Sequence, residues 1–387
     1  MEYFLTDEQK DIQALTRQIA QEQVKPVAAQ YDQSGEYPWD LVKLFGETGL
    51  FQTFIPEEYG GLSTGIMDLV LVTEELSRGC GGIAICLAAS ALGTFPILIS
   101  GNEEQKQKYL PDLASGKHVA AFCLTEPGAG SDASGITTKA VKDGDHYILN
   151  GTKHFITNGS VAGVYTVIAM TDPSRGGRGA SAFIVEDGTP GLSFGKKEDK
   201  LGIRASITSE VIMEDCRIPA ANLIGKEGQG FIVAMKTLDK SRPGVAAQAL
   251  GIAQGAYDIA VEYARERKQF GQSIASFQGI QFMLADMATG IEASRALIYA
   301  TARMIDAGVK DFGKESAMSK VFASDMAMKV TTDAVQILGG YGYMKEYLVE
   351  KYMRDAKITQ IYEGANQVQR QVIARSLIRE SASHKMM

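Results

Sequence analysis

Cysteine and histidine are scarce in this sequence, and their placement argues against a metal site. The 387 residues include four cysteines and four histidines. No two cysteines form a CxxC pair and the histidines are scattered singly, whereas zinc sites gather such ligands at short spacings. We therefore expect no bound metal. Four separate thiols in a chain of this size are typical of a reducing compartment, where disulfides are rare.

The sequence also lacks any run rich in lysine and arginine. Its formal net charge is −7 at pH 7. Proteins that bind nucleic acid usually present a basic face to the phosphates, so that class of protein is set aside. The mild acidity favours solubility and identifies no partner.

Uninterrupted apolar segments of membrane-spanning length are missing too. A transmembrane helix needs about 20 predominantly apolar residues. The most apolar stretch, residues 83–99, is interrupted by Ser90, Gly93, Thr94 and Pro96, and we interpret it as a buried helix. The opening residues MEYFLTDEQK have neither the basic start nor the apolar run of a signal peptide. We expect a cytoplasmic protein without a membrane span, or a mature form whose targeting sequence has been removed.

What the sequence does contain is a pattern of residue types that changes twice along the chain. Of its residues, 45% are hydrophobic and 22% are charged, as in ordinary globular proteins. Residues 1–118 and 229–387 show helical periodicity, whereas residues 119–228 are richer in glycine and threonine. This order predicts an α+β fold with an N-terminal helical domain, a central β-domain and a C-terminal helical bundle.

The helical regions contain sequence signals for helix starts and rows of apolar residues that would lie along one face of a helix. Thr6 followed by Glu8 and Gln9 resembles a helix start, and Asn102 with Glu104 and Gln105 indicates another. In the last third, two sets of apolar residues recur at helical spacings and predict two long helices. The first set is Ile280, Leu284, Met287, Ile291, Ile298 and Ile305, and the second is Val321, Ala327, Val330, Ala334 and Leu338, closed by Gly339-Gly340.

The central region contains short runs with β-propensity. They are His146–Leu149, Val164–Met170, Ala180–Val185 and Ser209–Met213. Gly144 and the Asn150-Gly151 pair are expected to form turns between strands. Close spacing with turn residues favours an antiparallel barrel or sandwich over βαβ units.

Four runs contain residues that could bind a ligand or take part in catalysis. The first is LTEPGAGSD, residues 124–132. Its glycines would let backbone N–H groups approach an oxygen-rich ligand, and Thr125 and Ser131 add hydroxyl donors. The same composition is typical of a tight turn, which is the more common case. The run is not a GxGxxG fingerprint after a strand, so a nicotinamide-binding Rossmann unit is not indicated.

The second run, NGTKHFITNG at residues 150–159, offers an aromatic wall in Phe155 and a polar partner in Thr157. The alternative interpretation is a hairpin whose phenylalanine belongs to the core.

The third run, RERKQFG at residues 265–271, places charges before a glycine. Such a pattern usually marks a solvated helix end, although an arginine at this position can also clamp a pyrophosphate with two hydrogen bonds.

The fourth run, DAKITQIYEG at residues 355–364, sets Glu363 between an aromatic residue and a glycine. If partly desolvated, its carboxyl pKa would rise and make it a better base toward a weak carbon acid. A helix cap is the alternative, because glutamate near a helix start stabilises the helix dipole.

The four runs occur together and in order, and with them the chain resembles the acyl-CoA dehydrogenase family. The matching strings are LTEPGAGSD, NGTKHFITNG, ERKQFG, QILGGYGY and MRDAKITQIYEG. The resemblance extends from the LTDEQ opening to the region of Arg375, and butyryl- and medium-chain-like members are the most similar. It implies a central β-domain between an N-terminal helical domain and a C-terminal four-helix bundle, assembled as a homotetramer that is a dimer of dimers.

The resemblance also implies the chemistry. Glu363 corresponds to the glutamate that removes the α-proton of an acyl-CoA, while the β-hydride goes to N5 of FAD. The family polarises the thioester carbonyl with this glutamate's backbone N–H and a ribityl hydroxyl of the flavin. Some members place their base immediately before the arginine that Arg242 matches. Ser241 occupies that position here and cannot serve as a base, which favours Glu363.

Ligand contacts carry over by position. The implied FAD ligands are Phe122, Leu124, Thr125, Gly130, Ser131, Phe155, Thr157, Arg267, Phe270 and Gln367, with Gln336 and Gly340 of the partner subunit. Phe155 stands where many members have tryptophan, and Ala365 replaces a common threonine, so Ala365 is not counted. The implied substrate contacts are Ser131, Asp239, Arg242, Tyr362, Gly364 and Arg375. Sharing of a flavin between subunits would make oligomerisation obligatory.

The acyl group is the least defined part of the prediction. The helix expected to line its pocket, Ile83 to Phe95, carries no charge and many small residues. Family members that decarboxylate glutaryl-CoA place an arginine in this helix, so a dicarboxyl substrate is not expected. We expect a short-to-medium straight chain, and the small residues leave room for a branched or cyclic group.

Four functional hypotheses remain at this stage. The first is a dehydrogenase that passes electrons to electron-transfer flavoprotein. The second is the same site run in reverse as an enoyl-CoA reductase. The third is an oxidase or monooxygenase that uses O₂. Retention of Glu363 favours dehydrogenation over this third hypothesis. The fourth is a non-catalytic scaffold subunit, against which the intact set of matching positions argues.

Overall fold

Two helical regions flank a β-region, in the order that the sequence pattern predicts. The computed structural model describes Met1 and residues 3–384. The N-terminal helices are α1 (Asp7–Ile19), α2 (Ala28–Ser34), α3 (Trp39–Glu47), α4 (Ile66–Gly79), α5 (Gly81–Ser100) and α6 (Glu103–Ala114). The central strands are β1 (Ala120–Cys123), β2 (Lys139–Asp143), β3 (His146–Thr157), β4 (Val164–Met170), β5 (Ala180–Glu186), β6 (Leu192–Phe194), β7 (Thr208–Pro219) and β8 (Leu223–Ile224). The C-terminal elements are α7 (Gly230–Glu266), the short strands β9 (Lys268–Gln269) and β10 (Gln272–Ser273), α8 (Gln278–Asp306), α9 (Gly313–Leu338), α10 (Val349–Thr359) and α11 (Asn366–His384).

Side-chain caps fix two of the N-terminal helices where the sequence predicted their starts. Thr6 Oγ1 accepts a hydrogen bond from the backbone N–H of Gln9 at 3.2 Å, and Oε1 of Gln9 accepts one from the backbone N–H of Thr6, also at 3.2 Å. Asn102 and Gln105 form the same reciprocal capping box at the start of α6. Both predicted starts are confirmed, because each cap satisfies backbone donors that the first turn of a helix leaves unpaired.

The eight central strands form one sheet in the order β6-β7-β3-β2-β4-β5-β8, with β1 beside β4, and β9 and β10 form a separate two-stranded sheet. The long pairs are antiparallel, as predicted, and β2 turns into β3 at Gly144, whose φ is +62°. In contrast, β1 and β4 are parallel. The sequence did not reveal β1, because all four of its residues are buried and show no alternation of polar and apolar side chains.

The prediction of a turn at Asn150-Gly151 is wrong. Both residues lie inside β3, where the register with β7 shifts between Leu149 and Gly151. A side chain on Gly151 would place its Cβ 2.6 Å from Oγ1 of Thr138. The glycine is therefore needed for close backbone approach at a bulge rather than for a reversal of the chain.

Helix α5 is long and apolar enough, by length and composition alone, to cross a membrane, but 78% of its most apolar window is buried inside the protein. The prediction of a buried helix is thus confirmed. The small residues expected to interrupt it instead contact the sheet. Ser90 Oγ accepts from the Ala120 N–H at 2.9 Å, and Thr166 Oγ1 donates to the Gly93 carbonyl at 3.1 Å. A Cβ on Gly93 would lie 2.7 Å from the Ala121 nitrogen, so glycine allows α5 to approach β1.

Helix α7 is the central element of the C-terminal bundle and packs against α4, α5, α8, α9 and α10. The stripe predicted on α8 faces the core: Met287, Ile291 and Ile298 are buried. Helix α9 ends at Gly339, which has φ +60°. The predicted α+β fold class is confirmed, and α7 reaches from the N-terminal helices to the sheet.

Candidate active site

One cavity collects residues from three of the four runs that the sequence singled out. It has a volume of about 240 Å³ and opens where α5, the loop after β1, β3, α7 and the segment between α10 and α11 meet. The predicted ligand residues that line it are Phe122, Leu124, Thr125, Gly130, Ser131, Phe155, Thr157, Arg242, Tyr362, Glu363 and Gly364. Its charged lining residues are Arg242 and Glu363. The candidate base, Glu363, and the candidate flavin-binding loop after β1 thus line the same cavity.

Glu363 lies in the segment between α10 and α11, in a left-handed turn. Its φ is +51° and that of Gly364 is +92°. The positive φ of Gly364 favours glycine, and a Cβ there would lie 2.1 Å from Nε2 of Gln369 and displace that amide. The carboxylate of Glu363 accepts a hydrogen bond from Ser241 on α7 rather than from the first turn of α11. The helix-cap interpretation of Glu363 is therefore not supported.

Glu363 is half-buried in the ligand-free chain, and the protein atoms around its carboxyl group largely desolvate it. Burial raises its pKa above the ordinary glutamate value, while the hydrogen bond from Ser241 Oγ, 2.5 Å from Oε2, and the charges of Arg242 and Lys320 oppose that rise. A carboxylate with a raised pKa is a stronger base than an exposed one and accepts a proton from carbon more readily.

Arg242 on α7 has an unsatisfied donor beside this carboxylate. Its side chain is 5% exposed and pairs with Asp239 one turn earlier. Its buried Nε has no hydrogen-bond partner among the residues that the structure describes. Buried donors are rarely left unpaired, so this atom fits a site that is completed by a bound ligand.

The loop after β1 is held in place by a buried ion pair. Lys153 Nζ on β3 lies 2.8 Å from Oε1 of Glu126 and donates to the Leu124 carbonyl at 3.0 Å. Glu126 in turn accepts from the backbone N–H groups of Thr137 and Thr138 at 2.6 and 3.0 Å. The positions of Leu124 and Thr125 in the cavity wall therefore depend on a side chain, that of Lys153, which does not itself line the cavity.

The cavity wall suits a planar aromatic ligand with polar edges, as an isoalloxazine ring has. Phe155 is 63% exposed and has φ +57°, so its interpretation as a core residue of a hairpin is wrong. The hydroxyl-bearing Thr125 and Thr157 line the same cavity. Apart from the adjacent residues in sequence, no heavy atom of the described chain lies within 4 Å of the position that a Cβ would take at Gly128 or Gly130, which leaves the loop backbone open to an oxygen-rich group. These residues fit FAD.

The other predicted ligands lie apart from this cavity. Arg267 and Gly340 line a second cavity together with Tyr263 and Tyr341. Phe270 is 92% exposed with φ +53°, and Gln336 and Gln367 are exposed. Arg375 and Asp239 line a third cavity near Lys314. Within one chain, none of these residues contributes to the lining around Glu363, and their assignment as ligands stays a prediction.

The structure adds residues that the sequence did not single out. Gln369, Val368 and Val372 on α11 line the cavity. The spacing of Val368 and Val372 is that of one helical face, which is a detectable signal, but nothing in the sequence indicates that this face meets Glu363. Gln369 Nε2 donates to the carbonyls of Glu363 and Gly364 at 3.1 and 3.3 Å, so it stabilises the turn.

Replacing Ser241 by alanine is expected to move the acidic limb of the kcat/KM profile to higher pH. The hydroxyl now lowers the pKa of Glu363, so its removal raises that pKa further and leaves less of the base ionised at a given pH. The measurement is the pH dependence of kcat/KM with an acyl-CoA substrate such as butyryl-CoA. Ser115→Ala, at an exposed position, is the control, and an unchanged limb in Ser241→Ala would contradict the role of the hydrogen bond.

Three family models together match nearly the whole chain. They are described as the acyl-CoA dehydrogenase N-terminal domain, matching residues 6–117, the middle domain, matching 121–216, and the C-terminal domain, matching 228–378. The three regions follow the helical, β and helical parts of the fold. The chain belongs to the acyl-CoA dehydrogenase family, and the predicted resemblance is confirmed.

Individual relatives match over their full length. A short-chain specific acyl-CoA dehydrogenase of Clostridium acetobutylicum is 48% identical over 380 residues, which are 98% of this chain and 100% of the relative. Acryloyl-CoA reductase (NADH) of Anaerotignum propionicum is 49% identical over 381 residues, 98% and 96% of the two chains. A chain in the solved structure of the electron transferring flavoprotein of Acidaminococcus fermentans is 53% identical, with a TM-score of 0.96 and coverage of 98% and 100%. The prediction of an FAD-dependent acyl-CoA dehydrogenase is confirmed at the level of enzyme class and cofactor.

Proposed function

We propose that this enzyme removes a proton and a hydride from the α- and β-carbons of an uncharged acyl-CoA thioester, with Glu363 as the base, to give the 2-enoyl-CoA. The observation that carries the proposal is the largely desolvated Glu363 carboxylate, which lines a cavity whose other wall residues are mostly apolar or hydroxyl-bearing, with Arg242 as the one other charged group among the described lining residues. A carboxylate in such surroundings suits abstraction of a weakly acidic C–H proton, which is activated by the neighbouring thioester carbonyl.

The residues that would hold FAD in this cavity are Thr125, Ser131, Phe155 and Thr157. When bound, FAD supplies the acceptor for the β-hydrogen, which leaves as hydride. Phe155 offers an exposed aromatic face for the ring system, and the hydroxyls of Thr125 and Thr157 can donate to its polar edge. Arg267, Phe270 and Gln367, with Gln336 and Gly340 of the partner subunit, are proposed to hold the remainder of the dinucleotide.

Proton transfer is assigned to the side chain of Glu363 and carbonyl polarisation to its backbone. Within the described part of the chain, the Glu363 N–H donates to no acceptor, so it is available to a thioester oxygen. A donor aimed at a developing oxyanion is among the larger contributions to catalysis. One residue thus supplies the base and one donor of the oxyanion site, and the substrate contacts are completed by Arg242, Tyr362 and Gly364, with Asp239, Ser131 and Arg375 further along the CoA.

The acyl group is proposed to be short to medium and uncharged. The wall that would contact it includes Ile85, Ala89 and Leu92 from α5 and Leu238 from α7, none of which can pair with a second carboxylate. Ala89 leaves local room for a branched or cyclic group.

The same site supports the reverse reaction as a second candidate. A full-length relative with 49% identity is an acryloyl-CoA reductase, and proton transfer by Glu363 is reversible. The direction depends on the potential of the substrate-bound flavin relative to that of the electron partner. Comparing those two potentials by anaerobic titration would assign the physiological direction.

The electron partner is proposed to be electron-transfer flavoprotein, because the chain matches one in the solved structure of such a protein. We propose a homotetramer, a dimer of dimers, because Gln336 and Gly340 lie outside the cavity around Glu363 and would serve the flavin of the partner subunit. A cytoplasmic location is proposed from the four cysteines, which are all free and buried.

Anaerobic mixing of the purified yellow protein with a panel of CoA thioesters tests the proposal. The panel comprises butyryl-, octanoyl-, isobutyryl-, cyclohexanecarbonyl- and glutaryl-CoA, and loss of flavin absorbance reports reduction. Butyryl-CoA is expected to bleach the flavin rapidly and glutaryl-CoA slowly or not at all. A protein that takes up FAD yet is bleached by none of these esters would contradict the proposed reaction.

A further inference from the structure

We propose that Lys320 is a positioning residue for the catalytic glutamate: its ammonium group anchors the turn 363–364 to α9 and thereby aims the Glu363 carboxylate into the cavity. This rests on the proposed function of Glu363 as the base. Lys320 does not line the cavity and makes no hydrogen bond to the Glu363 carboxylate in the described part of the chain; its Nζ reaches the site only through the backbone carbonyl of Gly364 and the side chain of Asn366.

The contacts of Lys320 are unusual for a lysine. Its side chain is 0% exposed. Its Nζ donates to the carbonyl oxygen of Gly364 at 2.8 Å and to Oδ1 of Asn366 at 2.8 Å. Burying a lysine costs free energy unless its donors are satisfied, and here two of them are used on the segment that carries Glu363.

One face of α9 binds both ends of this segment. Asn366 Nδ2 donates to Ser324 Oγ and to Asp325 Oδ1, both at 2.8 Å. Gln360 Nε2 donates to the same Asp325 oxygen at 2.7 Å. Because Lys320 and Ser324 are one helical turn apart, they present their polar groups side by side. The segment from 360 to 366 is therefore attached to α9 at its start, middle and end.

The turn requires such anchoring. A glutamate with φ +51° is in a conformation that L-residues rarely adopt, and it persists only where the surroundings hold it. Two successive carbonyls of the turn are held by two different helices: Gln369 of α11 donates to those of Glu363 and Gly364, and Lys320 of α9 donates to that of Gly364. Removal of one anchor frees the turn to relax toward an ordinary conformation, which moves the carboxylate.

Lys320 also acts on Glu363 through charge. Burial lowers the pKa of Lys320 to about 7, and the charged groups around it are Glu363, Arg242 on α7, Asp325 on α9 and Arg370 on α11. In its charged form Lys320 stabilises the Glu363 carboxylate and so lowers the pKa of the base. Loss of this charge is expected to raise that pKa.

The test compares FAD-loaded enzyme carrying Lys320→Met or Lys320→Gln with a matched control on the same helix. Lys329→Met serves as the control because Lys329 is exposed and paired only with Asp333 in the described contacts. With butyryl-CoA and an artificial electron acceptor, Lys320→Met is expected to lower kcat by about 10–100-fold, as small misplacements of catalytic groups do. KM and flavin content are expected to change little, and the acidic limb of kcat/KM is expected to move to higher pH. Lys320→Gln keeps a donor without a charge, so it should recover part of kcat but show the same shift of the limb.

Normal kcat and an unmoved acidic limb in both Lys320 variants would overturn the proposal. So would loss of flavin or of the fold in both while Lys329→Met stays normal, because Lys320 would then be a general structural residue. Glu363→Gln, assayed in parallel, separates the two proposals. If it retains turnover, the proposed function fails; if it is inactive while the Lys320 variants behave as wild type, only the role of Lys320 fails.

Discussion

Replacing Glu363 by glutamine is expected to lower turnover of butyryl-CoA by about 10³–10⁴-fold, with flavin binding retained. The amide has nearly the same shape as the carboxyl group and can still accept the hydrogen bond that Ser241 donates. It cannot accept a proton from carbon. The measurement is the rate of anaerobic flavin bleaching by butyryl-CoA, alongside the flavin-to-protein ratio from the absorbance spectrum.

Glu57→Gln is a suitable control, since Glu57 is exposed in the N-terminal helical region and lies outside the cavity lining. It should bleach at the wild-type rate. A Glu363→Gln enzyme that stays within tenfold of wild type would show that another group removes the proton. A colourless Glu363→Gln protein would mean instead that the side chain contributes to flavin binding, which the contact with Ser241 does not indicate.

The parts of the site that could be predicted are those encoded by contiguous strings. Phe155, Thr157 and the loop containing Thr125 and Ser131 come from two short runs, and the structure brings them to one cavity with Glu363. What the sequence did not provide is the support between distant elements. Lys320 contacts Gly364 across 44 positions, and no local pattern distinguishes a lysine that anchors a turn from one that faces solvent.

Errors in predicting the fold had a related cause. An Asn-Gly pair has the composition of a hairpin turn, yet Asn150-Gly151 lies at a bulge in β3 because Gly151 must pass close to Thr138. Phe155 has the composition of a core residue, yet its left-handed backbone turns the ring outward. In both cases the partner segment decides the conformation, and that partner is not visible in the run itself.

Replacing Lys153 by methionine is expected to destabilise the protein by about 3–5 kcal/mol and to weaken retention of the flavin. Lys153 is 0% exposed, and without its charge the Glu126 carboxylate is left buried without an opposite charge. Loss of the bond to the Leu124 carbonyl frees the loop that carries Thr125 and Ser131. Guanidinium unfolding followed by flavin fluorescence measures both effects, and Lys142→Met, at an exposed position on the adjacent strand, is the control.

The double variant Glu126→Gln/Lys153→Met distinguishes an unpaired charge from a simple loss of packing. Burial alone would raise the pKa of Glu126 and lower that of Lys153, but Lys153 and the donors from Thr137 and Thr138 together hold the pKa of Glu126 at about 2, so we take the pair as charged. The stabilising effect of the Glu126–Lys153 ion pair is then complete above the ordinary carboxyl pKa of 4.5, and it is lost as the pH falls toward 2 and Glu126 becomes protonated. The double variant should therefore be more stable than Lys153→Met at pH 7, because no buried charge is left unpaired, and it should lack this acid sensitivity. If the two variants were equally unstable at pH 7, packing around Lys153 rather than its charge would hold the flavin loop.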